Sequence, residues 1–445
     1  MGNSNKESVA LQRLATLFDD GIFTEIEPFA KGENGEVEVV AGYGYVNGTE
    51  CYAFAQDSDI NGGAVTVEQC SKLLKVFSLA KKTGCGIVGI YDSNGVQLTQ
   101  GFEVLNAFGE VVKSATMLSG VVPQISVIAG ACLGTSALIA NMADVVVASK
   151  DSDFYITAPS ETTIEESAQA GTVDIMCDDV DSAILEAKKV VCMLPKNNLY
   201  SAPMVDFEYS APSVSAVEGC SVENIVDSIL DSTLSVEFKA EYGKNVITKL
   251  GTVEGSTVGV VAFNNDEICP CCSYKAEAMI KLCDAFNIPV ITVANSTGLT
   301  KGKDAQMLVA ATKLTTAYAS ATCPKISLIT GQAIGASYII LAGKGANADA
   351  TLTVKKTAEF FGYNPEYLSK TIREVYGNGL KNIVSEFVIM RANDLLDNSA
   401  YSVKEISSIL KFVNANHFVN FYKYHTKTTP STYRKRNYKT RLNSE

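Results

Sequence analysis

Residues 123–136 read Pro-Gln-Ile-Ser-Val-Ile-Ala-Gly-Ala-Cys-Leu-Gly-Thr-Ser, and residues 324–337 read Pro-Lys-Ile-Ser-Leu-Ile-Thr-Gly-Gln-Ala-Ile-Gly-Ala-Ser. The proline, both glycines and both serines coincide at a single offset of 201 residues, Pro123 falling on Pro324. Each copy is an apolar run, a glycine turn and a stretch of small residues, the pattern of a strand that turns into a helix. Upstream, Gly84–Asp92 pairs with Asn287–Asn295, and Ala143-Asp144 and Ala348-Asp349 follow the two copies. Self-similarity of this kind marks a duplicated α/β unit. The bare apolar runs Ile87–Tyr91 and Pro289–Ala294 predict strands buried on both faces. Apolar residues every three or four positions predict helices before them, over Val67–Lys82 and Tyr274–Phe286.

The glycine turn carries possible chemistry. A helix N-terminus leaves backbone N–H groups without intrahelical partners, and such groups stabilise an oxygen that gains negative charge in a reaction. Gly134 with Thr135, and Gly335 with Ala336, are therefore candidate oxyanion turns. Glycine here is equally explained by tight strand–helix packing, and spacing alone weighs the two readings evenly.

Charge divides the chain near residue 350. Up to Ala350 the net charge is −19, and from Thr351 onward it is +7, which together give the overall −12. Only Arg13 precedes this seam among the arginines, all 12 cysteines precede it, and both histidines follow it. An acidic body with a basic end is the asymmetry expected of a chain whose end meets nucleic acid. No apolar run approaches the ~20 residues that span a bilayer, and no secretory signal is evident, so the expectation is a cytoplasmic protein with reduced thiols. The Cys269-Pro270-Cys271-Cys272 stretch has no second ligand pair at regular spacing, so no metal is expected.

Residues from about 9 to 350 resemble the carboxyltransferase subunit of biotin-dependent acyl-CoA carboxylases and decarboxylases. The matching stretches are Leu17–Gly21, Gly42–Gly48, Ser119–Gly130, Leu194–Asn198, Cys283–Pro289 and Ala319–Ile326. The resemblance implies tandem crotonase-like units, here 9–215 and a truncated 220–350, in which the two glycine turns stabilise a thioester enolate and the biotin ureido oxygen. It also implies acyl-CoA and carboxybiotin as ligands or substrates with no covalently bound cofactor, a biotin carrier protein as partner, and a homo-oligomer. The chain departs from the family in four places. The first turn reads Gly134-Thr135 where the family has two glycines. The loop Asn94–Gln97 lacks an arginine, 295–300 lacks the family's Pro-Gly, and 169–180 lacks its glycine and histidine pattern.

The end of the chain reads as helices. Asn364-Pro365 is an N-cap followed by proline at the first helical position, Leu380–Leu396 carries an apolar stripe (Ile383, Val384, Phe387, Met390, Leu395), and Ser402 with Glu405 forms a capping box over Val403–Leu410. Asn414 or Asn416 opens a last helix through His425. Ala358–Lys370, the linker Phe387–Asp397, Ser402–Phe412, His417-Phe418, Phe421-Tyr422 and Thr429–Arg434 resemble the double helix-turn-helix DNA-binding domain of AraC/XylS-type regulators. The expected all-α domain spans 351–438, with a tail at 439–445. The resemblance places the second helix of each pair in a major groove. On the outward faces, Glu366, Ser369, Lys370, Arg373, Asn416, His417 and Asn420 are the candidate base readers. Lys423, Lys427, Arg434, Lys435 and Arg436 are the candidate phosphate contacts. The expected function is thus a sequence-specific transcription regulator whose carboxyltransferase-like body senses an acyl-CoA-like ligand or mediates oligomerisation. The alternatives are a biotin-dependent carboxyltransferase or decarboxylase subunit, and the product of a chimeric gene.

Overall fold

The structure, a computed structural model, describes residues 8–32, 35–157, 160–207, 221–264, 266–353, 388–389, 392–393, 395–396, 401–410, 412 and 414–435. The chain divides into a body, residues 1–212 with 221–351, and a second unit, residues 213–220 with 352–445.

The body contains two sheets. The first comprises β1 (Phe23–Glu25), β2 (Val39–Val46), β3 (Thr49–Gln56), β4 (Gly86–Ser93), β5 (Gln124–Leu133), β6 (Val145–Ser149) and β8 (Ile175–Cys177) in that order, with β7 (Asp153–Tyr155) paired to β5. The second runs β15 (Ala350–Thr353), β14 (Lys325–Ala333), β13 (Val290–Leu299), β11 (Ser256–Phe263), β10 (Val246–Val253) and β9 (Ser235–Glu237), with β12 (Asp266–Ile268) on β13. Each sheet opens with an antiparallel hairpin, β2–β3 or β10–β11, and continues with parallel neighbours. The two sheets thus repeat one topology, which agrees with the tandem α/β architecture expected from the repeat. The edge strand β15 includes residues on both sides of the expected 350/351 boundary.

Helices fill the crossovers. These are α2 (Val67–Thr83) and α3 (Gly101–Leu118) in the first copy, and α8 (Pro270–Ala285) and α9 (Asp304–Ser320) in the second. The first copy also has α1 (Val9–Leu17), α4 (Thr135–Ala140), α5 (Ile164–Gln169) and α6 (Val180–Met193); α7 (Val222–Ile229) and α10 (Ala336–Leu341) belong to the second. One buried cluster joins Leu14 and Leu17 of α1 and Val190 of α6 to Val261, Ile280 and Leu314 of the second copy. Another packs Val76 of α2 and Val111 of α3 against Phe54 and Ile87. The helix predicted from Tyr274 begins earlier, at Pro270, because Cys269 serves as its N-cap. The predicted strands also extend, to Ser93 and Leu299.

The quoted family stretches meet one another here. Asp19 accepts the backbone N–H groups of Asn47 and Gly48, both at 2.8 Å, in the β2–β3 turn, where both residues have positive φ. Asn197 donates to the carbonyl of Gly84 at 2.7 Å. Each motif is therefore a local brace.

In the second unit, Ser402 caps α11 (Val403–Ile409) with the predicted capping box, and Asn414 caps α12 (Ala415–Thr426), its side chain accepting the N–H of His417 at 2.8 Å. Ala392, Leu396, Ile406, Phe418 and Tyr422 are buried together. In the described part of the linker helix the packed residues are Ile389, Ala392, Leu396 and the predicted Leu395. Ile383, Val384, Phe387, Met390 and the whole first helix pair lie outside the described residues.

Arg13 is tied to the repeat through Asp92. Its Nη1 lies 2.8 Å from Asp92 Oδ2, with side-chain exposures of 12% and 7%, and Ser58 donates to the same oxygen. Removing one member of a buried pair strands the other charge. Arg13→Ala should lower stability by about 3–5 kcal/mol in urea denaturation, and adding Asp92→Asn should restore part of that loss.

Candidate functional site

The two glycine turns have the same backbone. Gly134 has φ 62° and ψ −125°, and Gly335 has φ 59° and ψ −120°. A residue with a Cβ rarely adopts this conformation, so both glycines are required by geometry. Each is the N-cap of a six-residue helix, α4 or α10, that carries the chain away from the end of a central parallel strand. First-turn N–H groups of such helices have no intrahelical partner.

The surroundings of the two turns repeat as well. The backbone N–H of Gln124 donates to Asp144 Oδ2, and that of Lys325 to Asp349 Oδ2, both at 2.8 Å, which anchors the start of each central strand. At the other end, the register of β4 against β5 shifts between Tyr91 and Ser93, and that of β13 against β14 between Ala294 and Ser296. Asp92 and Asn295 sit in these shifts and lean over Gly130 and Gly331. A Cβ on either glycine would lie 2.3 Å from the facing Oδ1. Ser93 and Ser296 then accept the N–H of Gly95 and Gly298, both at 3.1 Å.

The copies differ where a ligand would approach. Gly335 and Ala336 are exposed, and a Cβ on Gly335 would meet nothing within 4 Å, so a ligand oxygen has room to reach the turn. Gly134 and Thr135 are half-buried, and Thr135 Oγ1 is a buried hydroxyl without a hydrogen-bond partner. The N–H of Gly134 is spent on the carbonyl of Tyr155 at 3.0 Å. Under Gly130 the first copy holds the Arg13–Asp92 pair; under Gly331 the second holds a neutral amide, Asn295, whose Oδ1 accepts the N–H of Gln332. Burial, with the nearby Asp92 charge, pushes the Cys132 thiol up, so this sulfur of β5 is no nucleophile.

In the second unit, α12 presents Asn416, His417 and Asn420 as exposed residues while Phe418 and Tyr422 face the core. Lys423, Lys427 and Lys435 are exposed too. Arg434 is placed otherwise. Its guanidinium donates to the carbonyls of Leu396 at 3.0 Å, Tyr401 at 2.6 Å and Leu395 at 3.5 Å. These donors tie the linker helix to the last described turn of the unit. Glu366, Ser369, Lys370, Arg373 and Arg436 lie outside the described residues. The Cys269-Pro270-Cys271-Cys272 stretch, set aside in the sequence for want of a second ligand pair, brings three sulfurs together: the Sγ atoms of Cys269, Cys271 and Cys272 lie within 4.8 Å of one another. The Cys-x-x-Cys spacing at a helix start was the available signal.

The turn geometry separates two roles that sequence could not. Gly134→Ala should cost about 1–3 kcal/mol from backbone strain. Thr135→Ala removes a buried unpartnered hydroxyl and should leave stability unchanged or raise it by up to about 1 kcal/mol. Chemical denaturation of the two variants checks both.

Two families match the chain: the Carboxyl transferase domain over residues 3–369 and the Helix-turn-helix domain over residues 357–436. The body is similar to the methylmalonyl-CoA decarboxylase subunit alpha of Veillonella parvula, 31% identical over 385 residues, which covers 76% of this chain and 75% of that protein. The subunit of the same name from Propionigenium modestum is 29% identical over 393 residues, covering 79% and 76%. The fold is similar to the crystal structure of the transcarboxylase 12S hexamer with methylmalonyl-coenzyme A and methylmalonic acid bound. The TM-score is 0.73 at 28% identity, covering 78% of this chain and 76% of that one. The chain therefore belongs to the carboxyl transferase domain family, with a body of tandem crotonase-like α/β units, and it carries an AraC-type helix-turn-helix domain at its C-terminal end.

Proposed function

We propose that this chain is a sequence-specific DNA-binding transcription regulator whose carboxyltransferase-like body binds an acyl-CoA-like ligand or joins copies into an oligomer. The observation that carries this reading is α12. One face of it is locked into a core by Phe418 and Tyr422, and the other offers Asn416, His417 and Asn420. Asparagine pairs bidentately with adenine in the major groove. Lys423, Lys427 and Lys435 supply the charge that positions a protein on phosphates, with Arg436 beside them in sequence. Glu366, Ser369, Lys370 and Arg373 are the corresponding readers of the first helix pair. The net +7 after Ala350 supports the same partner.

For the body, the names of the relatives suggest methylmalonyl-CoA or a close acyl-CoA as ligand, and the transcarboxylase 12S hexamer suggests a homo-oligomer. A second reading, a biotin-dependent carboxyltransferase or decarboxylase, is favoured by one observation: the two turns keep matching φ and ψ. In that reading Gly134 with Thr135 faces the acyl-CoA enolate, Gly335 with Ala336 faces carboxybiotin, and a biotin carrier protein is the partner. Thr135 argues against it, because its side chain occupies the first turn. Both readings imply a cytoplasmic protein; among the described residues no helix is long and apolar enough to cross a membrane.

A gel shift on DNA selected from a random pool tests the first reading. The log of affinity should fall linearly with the log of salt, by about 0.9 per phosphate contacted. Lys423→Ala should reduce that slope by about one for all sequences, and Asn416→Ala should cost about 1–3 kcal/mol at one base position. A flat salt response with no selected motif overturns it. Turnover of free biotin with malonyl-CoA, lost in Gly335→Ala, would establish the second.

A further inference from the structure

Cys269, Cys271 and Cys272 stand where β12 passes into α8. Cys269 Sγ lies 2.6 Å from Cys271 Sγ and 3.0 Å from Cys272 Sγ. Cys269 is the N-cap of α8, and its sulfur accepts the backbone N–H of Cys272 at 3.2 Å; Pro270 takes the first helical position. The first copy shows what this place in the fold needs. There the parallel bridge Val65–Val96 corresponds to the Ile268–Leu299 pairing, and Thr66 caps α2, its Oγ1 accepting the N–H of Gln69 at 3.1 Å. A hydroxyl suffices for the cap. Capping therefore explains neither a sulfur at 269 nor two more within the next turn.

The arrangement suits a thiolate. A helix N-terminus favours negative charge, one backbone N–H points at the sulfur, and the thiols of Cys271 and Cys272 lie beside it. Hydrogen bonding from Cys272, which outweighs burial and is helped by Cys271, holds the Cys269 thiol down at about 5, while burial pushes Cys271 up. Cys269 and Cys271 are half-buried, and Cys272 is buried. The contrast with the rest of the body is clear. Cys51, Cys70, Cys85, Cys132, Cys177, Cys283 and Cys323 are buried, and half-buried Cys192 has its thiol pushed up by burial.

We propose that Cys269 is a redox-active nucleophile and Cys272 its resolving partner, the pair closing an intrachain disulfide when the protein meets a hydroperoxide. The Cys269 thiolate attacks a peroxide oxygen; the S–O bond forms, the O–O bond breaks, and the departing oxide takes a proton from water. The sulfenic acid at Cys269 is then attacked by Cys272. An S–S bond forms, and the sulfenic oxygen leaves as water with the proton that Cys272 gives up. Two thiols thus supply the two electrons that reduce the peroxide. Cys272, one helical turn from Cys269, fits the separation that disulfides require, whereas the two-residue step to Cys271 closes a tighter ring.

The test uses the full chain, fully reduced. Its first part is iodoacetamide alkylation at about pH 6, where the greater thiolate fraction of Cys269, offset by its weaker intrinsic nucleophilicity, should make it react about tenfold faster than Cys192. Its second part is exposure to hydrogen peroxide with peptide mass mapping. The peptide holding all three cysteines should lose two hydrogens and resist alkylation until reduced. Cys271→Ser should still close the bond, while Cys272→Ser should halt at a Cys269 sulfenic acid that dimedone captures. Equal alkylation of Cys269 and Cys192 overturns the proposal. So does closure that needs Cys271 instead of Cys272, or a bound zinc ion that shields all three thiols until chelated.

Discussion

Everything at the turns depends on how closely the end of one strand can approach the next. In each copy the ladder between two parallel strands slips by a residue, at Asp92 in the first and Asn295 in the second. The slipped side chain leans over a glycine, Gly130 or Gly331, where a Cβ would sit 2.3 Å from its oxygen. Only a glycine admits this contact. The slip then brings Ser93 or Ser296 into line to hold the following loop, and four residues past the glycine the strand turns through Gly134 or Gly335. Each copy supplies the leaning side chain, buried Asp92 or half-buried Asn295, with a different partner. Asp92 has Arg13 and Ser58; Asn295 has the backbone of Gln332.

Those two solutions bear on function. A charge pair beneath the first turn and an amide beneath the second mean that the halves, alike in backbone, are unlike in electrostatics. The first turn is also partly closed by Thr135, whereas the second is open. The duplicated fold keeps its frame while the two turns differ in exposure, Thr135 half-buried and Ala336 exposed. The divergence extends to the helix that follows the bridging strand, where Thr66 caps one copy and Cys269 the other. The cap is conserved as geometry and changed as chemistry.

The second unit follows a different economy. Its described core is small, built from Ala392, Leu396, Ile406, Phe418 and Tyr422. Polar braces supplement it. Arg434 gathers three carbonyls, and Tyr422 donates to Asn393. Phe418 and Tyr422 turn inward, and Asn416, His417 and Asn420 are left exposed on α12 together with Tyr424.

The sequence by itself determined the duplication, the strand–turn–helix order, both families and the cap at Ser402, and it left Asn414 and Asn416 as alternatives that the structure resolved in favour of Asn414. These are carried by local signals: a period, a glycine, a hydroxyl or amide before an apolar stripe. It also placed Asn416, His417 and Asn420 on an outward face, because helical spacing from Phe418 is a local property. Only the tertiary structure decided the rest. It showed that Arg13 neutralises Asp92, 79 residues away, and that Arg434 braces carbonyls instead of standing free. It showed too that α8 starts at Pro270, since cysteine is not a usual cap residue, and that three sulfurs converge there. Each of these rests on partners brought together by folding or on side-chain direction, and neither is written in the spacing of residues along the chain.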